Sequence, residues 1–269
     1  LSAKVRLKLT IQYDGTEFEG WQIQPKGRTV QGELEKAFLR ILGESTSVVG
    51  SGRTDSGVHA YGQVAHVDLK PSIEISKLIK GVNAVLSKEI QILSCEKVPL
   101  SFHARKSAKK KTYRYVIEES KFPSPLYRRM ATFRFCRMDK GALAFERTHF
   151  LPLDLRAMER ASEFLLGEHD FTSFRASGAK EGSAVRRIYL ATWQEHPLPF
   201  SLEGRLLIFR IMGNGFLKQM VRNLVGTLIE VGSGKRSQEE FQTLIQLKNR
   251  SLAGPTAPPE GLALESVEY

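Results

Sequence analysis

From Lys4 to Tyr13 apolar and polar residues alternate: Val5, Leu7, Leu9 and Ile11 fall on one side, Lys4, Arg6, Lys8, Thr10 and Gln12 on the other. A period of two marks a strand with one buried face. The opposite face reads as wet and basic, compatible with an antiparallel sheet open to a ligand. Tyr13-Asp14-Gly15-Thr16 turns the chain, and Trp21-Gln22 follows in a polar loop. The period then changes. Val30, Leu34, Ala37, Phe38 and Ile41 recur at helical spacing behind a capping Thr29 and stop at Gly43. A short strand around Val48, an alternating stretch through Ala65, Val67 and Leu69, a helix within Ile75 to Leu86 and a strand over Ile90 to Val98 complete a first block. Strand, helix, strand, strand, helix, strand is an α+β order rather than a strict βαβ repetition.

The second block reads similarly. Tyr113 and Tyr115 share one face of a strand, with Thr112 and Arg114 on the other. Prolines follow Lys121, and a strand is expected near Met130 to Phe135, with Arg134 and Arg137 adding positive charge. Asp154 caps a helix over Met158, Ala161 and Leu165 that Gly167 stops. Gly167 to Arg175 reads as a loop rich in aromatic and polar residues, and Ser177 to Ser183 as mobile. Strands run through Arg186 to Leu190 and Leu206 to Ile211. Phe216 to Val231 reads as a helix with an apolar stripe of Leu217, Met220, Val221, Leu224, Leu228 and Val231, from which Arg222 and Asn223 point away. Ser237-Gln238-Glu239-Glu240 is a capping box for a helix burying Phe241, Leu244 and Ile245, ended by Gly254-Pro255. Gly261 to Tyr269 can close a sheet. The expected division is an N-terminal α+β domain, 1–104, and a C-terminal α+β domain, 105–269.

Charge changes this picture most. The 269 residues carry a formal net charge of +11, which points to a polyanionic partner, nucleic acid first. An acidic membrane surface would leave the same signature, but with a basic amphipathic helix or a lipidation site, and neither is visible at the termini. Cys95 and Cys136 form no C-x-x-C pattern, which argues against a disulfide framework or a zinc cluster and suits a reducing cytoplasm. Leu1 leads straight into a strand without a signal h-region, and no uncharged apolar run approaches the roughly 18 residues of a membrane span. The expectation is a soluble, basic, cytoplasmic protein.

Two stretches carry candidate chemistry. In Gly50-Ser51-Gly52-Arg53-Thr54-Asp55-Ser56-Gly57-Val58-His59-Ala60, glycines frame one Arg-Thr-Asp. A tight loop presenting a single carboxylate needs this composition, which makes Asp55 the first candidate and Arg53 the nearest cation. The alternative is a turn in which Asp55 only bonds backbone amides. The other stretch, Phe102 to Tyr115, holds six basic residues from Arg105 to Arg114, among them Lys109, Lys110 and Lys111, beside Tyr113 and Tyr115. Cations for phosphates next to an aromatic that stacks on a base suit nucleic acid, while a solvated charge run leading into an ordinary strand is the alternative.

Gly52-Arg53-Thr54-Asp55-Ser56-Gly57-Val58-His59, Phe102-His103-Ala104-Arg105, Tyr113-Arg114-Tyr115, Gly167-Glu168-His169-Asp170-Phe171-Thr172-Ser173-Phe174 and Met220-Val221-Arg222-Asn223 together resemble the tRNA pseudouridine synthase A family, in the family's order and over nearly the whole chain. Ser56, where alanine is common, and the compact segment from Cys136 to Phe150 depart from its pattern. The resemblance implies two α/β-sandwich halves of ferredoxin-like type whose antiparallel sheets join around a central catalytic cleft. It implies isomerisation of uridine to pseudouridine at positions 38, 39 and 40 of the tRNA anticodon stem-loop, by a homodimer. Asp55 aligns with the family's catalytic aspartate, Tyr113 with its active-site tyrosine and Arg222 with the arginine that pairs with the aspartate. Arg53 is expected to hold the flipped-out nucleotide or its backbone, and Arg105, Lys109, Lys110, Lys111 and Tyr113 to bind substrate.

That reaction breaks C1′–N1, turns the uracil and joins C5 to C1′, with no redox change or group transfer, so no cofactor or metal is expected. An ionised carboxylate can add to sugar or base, or assist departure of the base. A nearby guanidinium favours its charged form. Tyr113 can stack on the uracil and relay the C5 proton. Two other readings share these residues: a synthase with other target uridines, and a non-catalytic RNA-binding protein on the same scaffold.

Overall fold

The computed structural model describes residues 4–70, 74–136, 151–178, 182–199 and 204–269. Arg137, nearly all of the segment from Cys136 to Phe150, and residues 179–181 within the stretch expected to be mobile lie outside them. The chain forms two compact units, Leu1–Lys111 with Ala263–Tyr269, and Thr112–Leu262. Among the described residues no helix is long and apolar enough to cross a membrane.

The first unit contains β1 (Val5–Tyr13), α1 (Val30–Leu42), β2 (Val48–Gly50), β3 (His59–Leu69), α2 (Ile75–Val85) and β4 (Ile90–Val98). Its sheet runs β4-β1-β3 and continues to β10 (Leu262–Glu268), with β2 also on β3. The alternation of β1 buries Leu7, Leu9 and Ile11 completely. α1 begins and ends as its sequence dictates: Thr29 Oγ1 accepts from Gly32 N, and Gly43 takes φ 74. It packs on α2 and β2. Cations on the other face of β1 are paired with acids. Arg6 Nε donates to Asp68 Oδ1 at 2.6 Å, and Lys8 Nζ lies 2.7 Å from Glu96 Oε1.

His66 on β3 is buried, its Nδ1 accepting from Ala104 N at 3.2 Å and its ring 4.9 Å from that of His103. Burial foremost, then the charges of Arg6 and His103, depress its pKa to about 4. In the unfolded chain this imidazole takes up a proton near pH 6.5, and in the folded chain only near 4, so stability falls as pH drops through that window. The expected loss by pH 4.5 is roughly 2 kcal/mol. Urea midpoints at pH 7 and 4.5 test it: His66→Gln flattens the difference, and an unchanged difference in that variant rules His66 out as its source.

The second unit holds the rest of β5 (Lys110–Ser120), then β6 (Thr132–Phe135), α3 (Leu155–Glu163), β7 (Gly167–Asp170), β8 (Val185–Pro197), β9 (Gly204–Gly213), α4 (Met220–Gly232) and α5 (Gln238–Leu247). Its sheet runs β5-β9-β8-β7, with β6 on β5. α3 packs on α4, α5 and β8, where Trp193 Nε1 donates to Ser162 Oγ at 3.0 Å. The capping box forms with both bonds in place, Glu240 N to Ser237 Oγ and Ser237 N to Glu240 Oε2.

Four expectations need correction. The sheets are mixed, not purely antiparallel: β10 runs parallel to β3 and β6 parallel to β5. In each case a connection longer than a hairpin allows the strand to return in the same direction. Gly167 to Arg175 is not all loop, since β7 pairs antiparallel with β8 and a 3-10 turn follows at Thr172–Phe174. The helix expected from Phe216 starts at Met220, because Gln219 sits at φ 60, ψ 5, outside the right-handed helical region. α5 ends at Leu247, with Lys248 at φ 51, well before Gly254-Pro255.

Candidate active site

Residues 51–58 join β2 to β3 and present Asp55. Ser51 is fully buried; its N donates to Val64 O and its Oγ to Gln63 Oε1, both at 2.7 Å. The Gln63 amide donates to Gly52 O at 3.0 Å, and the Lys111 ammonium to Ser51 O at 2.6 Å. Thr54 is buried too: its Oγ1 lies 2.9 Å from the Tyr13 hydroxyl, and its carbonyl accepts from Trp21 N at 3.2 Å. Burial pushes the Tyr13 pKa up to about 12, against the pull of its Thr54 and Gln63 hydrogen bonds, so it remains a neutral phenol at working pH. Beyond Asp55, Val58 N donates to the Asp55 carbonyl at 3.2 Å. The residues on both sides of the carboxylate are therefore anchored, while Asp55 itself is half-buried and Arg53 exposed. Gly20, at φ 90, lets the preceding loop pass against this one; a Cβ there would meet Thr54 O at 2.5 Å.

A row of side chains leads from α1 to Arg53. Arg53 Nε donates to Gln22 Oε1 at 3.3 Å, Gln22 Nε2 to Gln31 Oε1 at 2.8 Å and Gln31 Nε2 to Glu35 Oε1 at 2.9 Å. Of the other expected substrate contacts, Lys109 and Arg105 are exposed. Lys110 lies 3.4 Å from Glu268 Oε2, and Lys111 holds the Asp55 loop as described.

Tyr113 and Arg222 belong to the second unit. Tyr113 is buried, with its ring edge-on to Phe216 at 5.1 Å and 81°. Arg222 is half-buried in the first turn of α4. Its Nε donates to Ala257 O at 2.7 Å, and Ala257 N donates back to Arg222 O at 3.1 Å. The Tyr115 hydroxyl donates to the next carbonyl along, Pro258 O, at 2.9 Å, and burial raises its pKa well above the ordinary phenol value. Asn223 does not point away from the apolar stripe. It is fully buried, its Nδ2 donating to Phe174 O at 2.8 Å and its Oδ1 accepting from Thr256 Oγ1 at 2.6 Å.

Tyr13, Gln63 and Ala257 carry no motif. Tyr13 was legible as the last inward position of β1. Gln63 was hidden among the apolar residues of β3. Ala257 acts through its backbone, which has no sequence signature.

Comparison with known proteins gives the relationship of the chain as a whole. A family model described as tRNA pseudouridine synthase matches residues 9–106 and 161–269. A tRNA pseudouridine synthase A of Maridesulfovibrio salexigens is 43% identical over 98% of this chain and 90% of its own. Those of Anoxybacillus flavithermus (44% identical, 98% of this chain and 98% of its own) and Halalkalibacterium halodurans (44% identical, 96% and 90%) are similarly related.

Proposed function

We propose, since this chain belongs to the tRNA pseudouridine synthase family and is an isomerase that converts uridine to pseudouridine in tRNA, that its targets are the uridines at positions 38, 39 and 40 of the anticodon stem-loop and that Asp55 is the catalytic carboxylate. The observation that carries this reading is the doubly anchored Arg53-Thr54-Asp55 loop, in which buried bonds at Ser51 and Thr54 leave the aspartate half-buried on a fixed backbone.

The target base must leave its stack, at a cost of a few kcal/mol. A basic protein surface helps offset that cost, with Arg53, Arg105 and Lys109 contacting the RNA backbone and Lys110 and Lys111 adding to the local field. With the uridine extruded, the Asp55 carboxylate adds to sugar or base and C1′–N1 breaks. The uracil turns, C5 bonds to C1′, the bond to Asp55 breaks to return the free carboxylate, C5 loses its proton and N1 gains one, so atoms and charge balance without a cofactor. Arg222 is the counter-ion of Asp55, and Tyr113 stacks on the uracil and relays the C5 proton. The division of labour is an N-terminal domain carrying the Asp loop and a C-terminal domain carrying Tyr113 and Arg222, each half of ferredoxin-like type. The protein works as a cytoplasmic homodimer.

Mapping pseudouridine in an unmodified tRNA with uridines at 38, 39 and 40 tests the assignment. Product at those positions supports it, product elsewhere keeps the chemistry and overturns the site, and binding without product favours an RNA-binding role alone. Tyr113→Phe separates two roles of that ring. Loss of the relay lowers kcat by about 100-fold with KM little changed. A kcat within about twofold of wild type leaves Tyr113 with stacking only.

A further inference from the structure

We infer that Arg250 is a positioning residue for the isomerisation, acting through the strap of residues 253–257 to orient the Arg222 guanidinium. Arg250 follows α5 and is half-buried. Its guanidinium spans the strap: Nη1 donates to Gly254 O at 3.0 Å and Ala253 O at 3.3 Å, and Nη2 to Thr256 Oγ1 at 3.1 Å and Asn223 Oδ1 at 3.0 Å. Thr256 Oγ1 donates to the same Asn223 oxygen, so one fork ties three strap residues to α4 at the position next to Arg222. Thr227, one turn on, closes the other edge by accepting from Gly254 N at 3.0 Å.

The consequence lies at Ala257, the next residue after Thr256. Its carbonyl takes the Arg222 Nε proton, and its N–H returns a bond to the Arg222 carbonyl. With Nε engaged, where the strap puts that oxygen contributes to the plane of the Arg222 guanidinium. Among the described residues no carboxylate pairs with Arg250; its guanidinium donates to carbonyl, amide and hydroxyl oxygens. A lysine provides one point charge and no planar fork, so it cannot reproduce this set of bonds.

The inference rests on Arg222 acting at the reacting uridine, and the test separates the two. Single-turnover rates, KM and melting temperature are measured on full-length Arg250→Lys, Thr256→Val, Arg222→Lys and the Arg222→Lys/Arg250→Lys double variant. Arg250→Lys is expected to lower kcat about tenfold and Thr256→Val about threefold, each with KM within about twofold of wild type. In the Arg222→Lys background, itself slowed about 100-fold, Arg250→Lys costs less than about twofold more, because its effect passes through the side chain already changed. Losses that multiply in the double variant overturn the inference, as does a KM increase with kcat kept, which marks Arg250 as an RNA contact. If Arg250→Lys does not fold, Thr256→Val in the same cycle decides. Full kcat in Arg222→Lys overturns the role of Arg222 and this inference together, whereas loss in Arg222→Lys with full kcat in folded Arg250→Lys and in Thr256→Val overturns this inference alone.

Discussion

Asp55→Asn is expected to lower the rate of pseudouridine formation by about 10,000-fold or more while tRNA affinity stays within about threefold. The amide has the shape of the carboxylate but neither its charge nor its nucleophilicity. The bonds that fix the loop run through Ser51, Thr54 and the Asp55 backbone carbonyl, and all survive the substitution. The loop therefore keeps its course, and the variant reports chemistry rather than folding. Removing a negative charge beside a polyanion does not weaken binding and can tighten it slightly. Single-turnover assays on pre-bound tRNA, with a filter-binding isotherm on the same preparation, read both quantities. A variant retaining one-tenth of the wild-type rate would remove Asp55 from the chemical step. Deamidation of the asparagine back to aspartate would mimic such activity, so the intact mass of the preparation is part of the measurement.

How far the sequence alone reaches is clear from α1 and α4. α1 was legible in full because every signal for it is local: the Thr29 cap, the apolar spacing and the left-handed Gly43. α4 was legible in existence but not in detail. Its start depends on a glutamine at positive φ, which no propensity indicates. Its faces were misread because no residue from Met220 to Gly232 is fully exposed, so the amphipathic reading that turned Asn223 toward solvent had no solvent side to find. β7 escaped for the opposite reason. Gly167-Glu168-His169-Asp170 has no apolar alternation and is a strand only because β8 offers it a partner edge.

The candidate residues divide the same way. Asp55 and Arg222 stand in recognisable blocks of sequence, and the proposed chemistry uses their side chains. What fixes them is spread along the chain and is partly backbone: Lys111 on Ser51 O, Tyr13 on Thr54, and Ala257 O on Arg222. A basic run read as six cations for phosphates thus includes Lys111, a structural brace for the very loop it was expected to assist. Charge counts do not separate these uses; geometry does.

Gly226→Ala tests whether the strap and α4 are one device. The glycine lies one turn beyond Arg222, and a Cβ on it would sit 1.7 Å from Pro255 O and 2.9 Å from Pro255 C. Both are backbone atoms, so no rotamer change relieves the clash, and the strap has to move away by an ångström or more. That displacement strains the reciprocal bonds between Arg222 and Ala257 and the Gly254 N–H bond to Thr227. Overpacking of this kind costs about 3 kcal/mol, and at about 2–4 °C per kcal/mol the melting temperature falls by roughly 10 °C. The loss of rate is expected to exceed what instability explains: about 100-fold in kcat at a temperature where the variant is still fully folded, since ångström-scale misplacement of a catalytic group has that cost. Gly43→Ala is the control, because that glycine carries the backbone cost of a left-handed conformation, which the helical Gly226 does not, yet has open space around its Cβ position. It should lose about 1 kcal/mol and keep its rate. Equal kcat in the two variants would mean that the strap supports the fold of α4 without setting the geometry of Arg222.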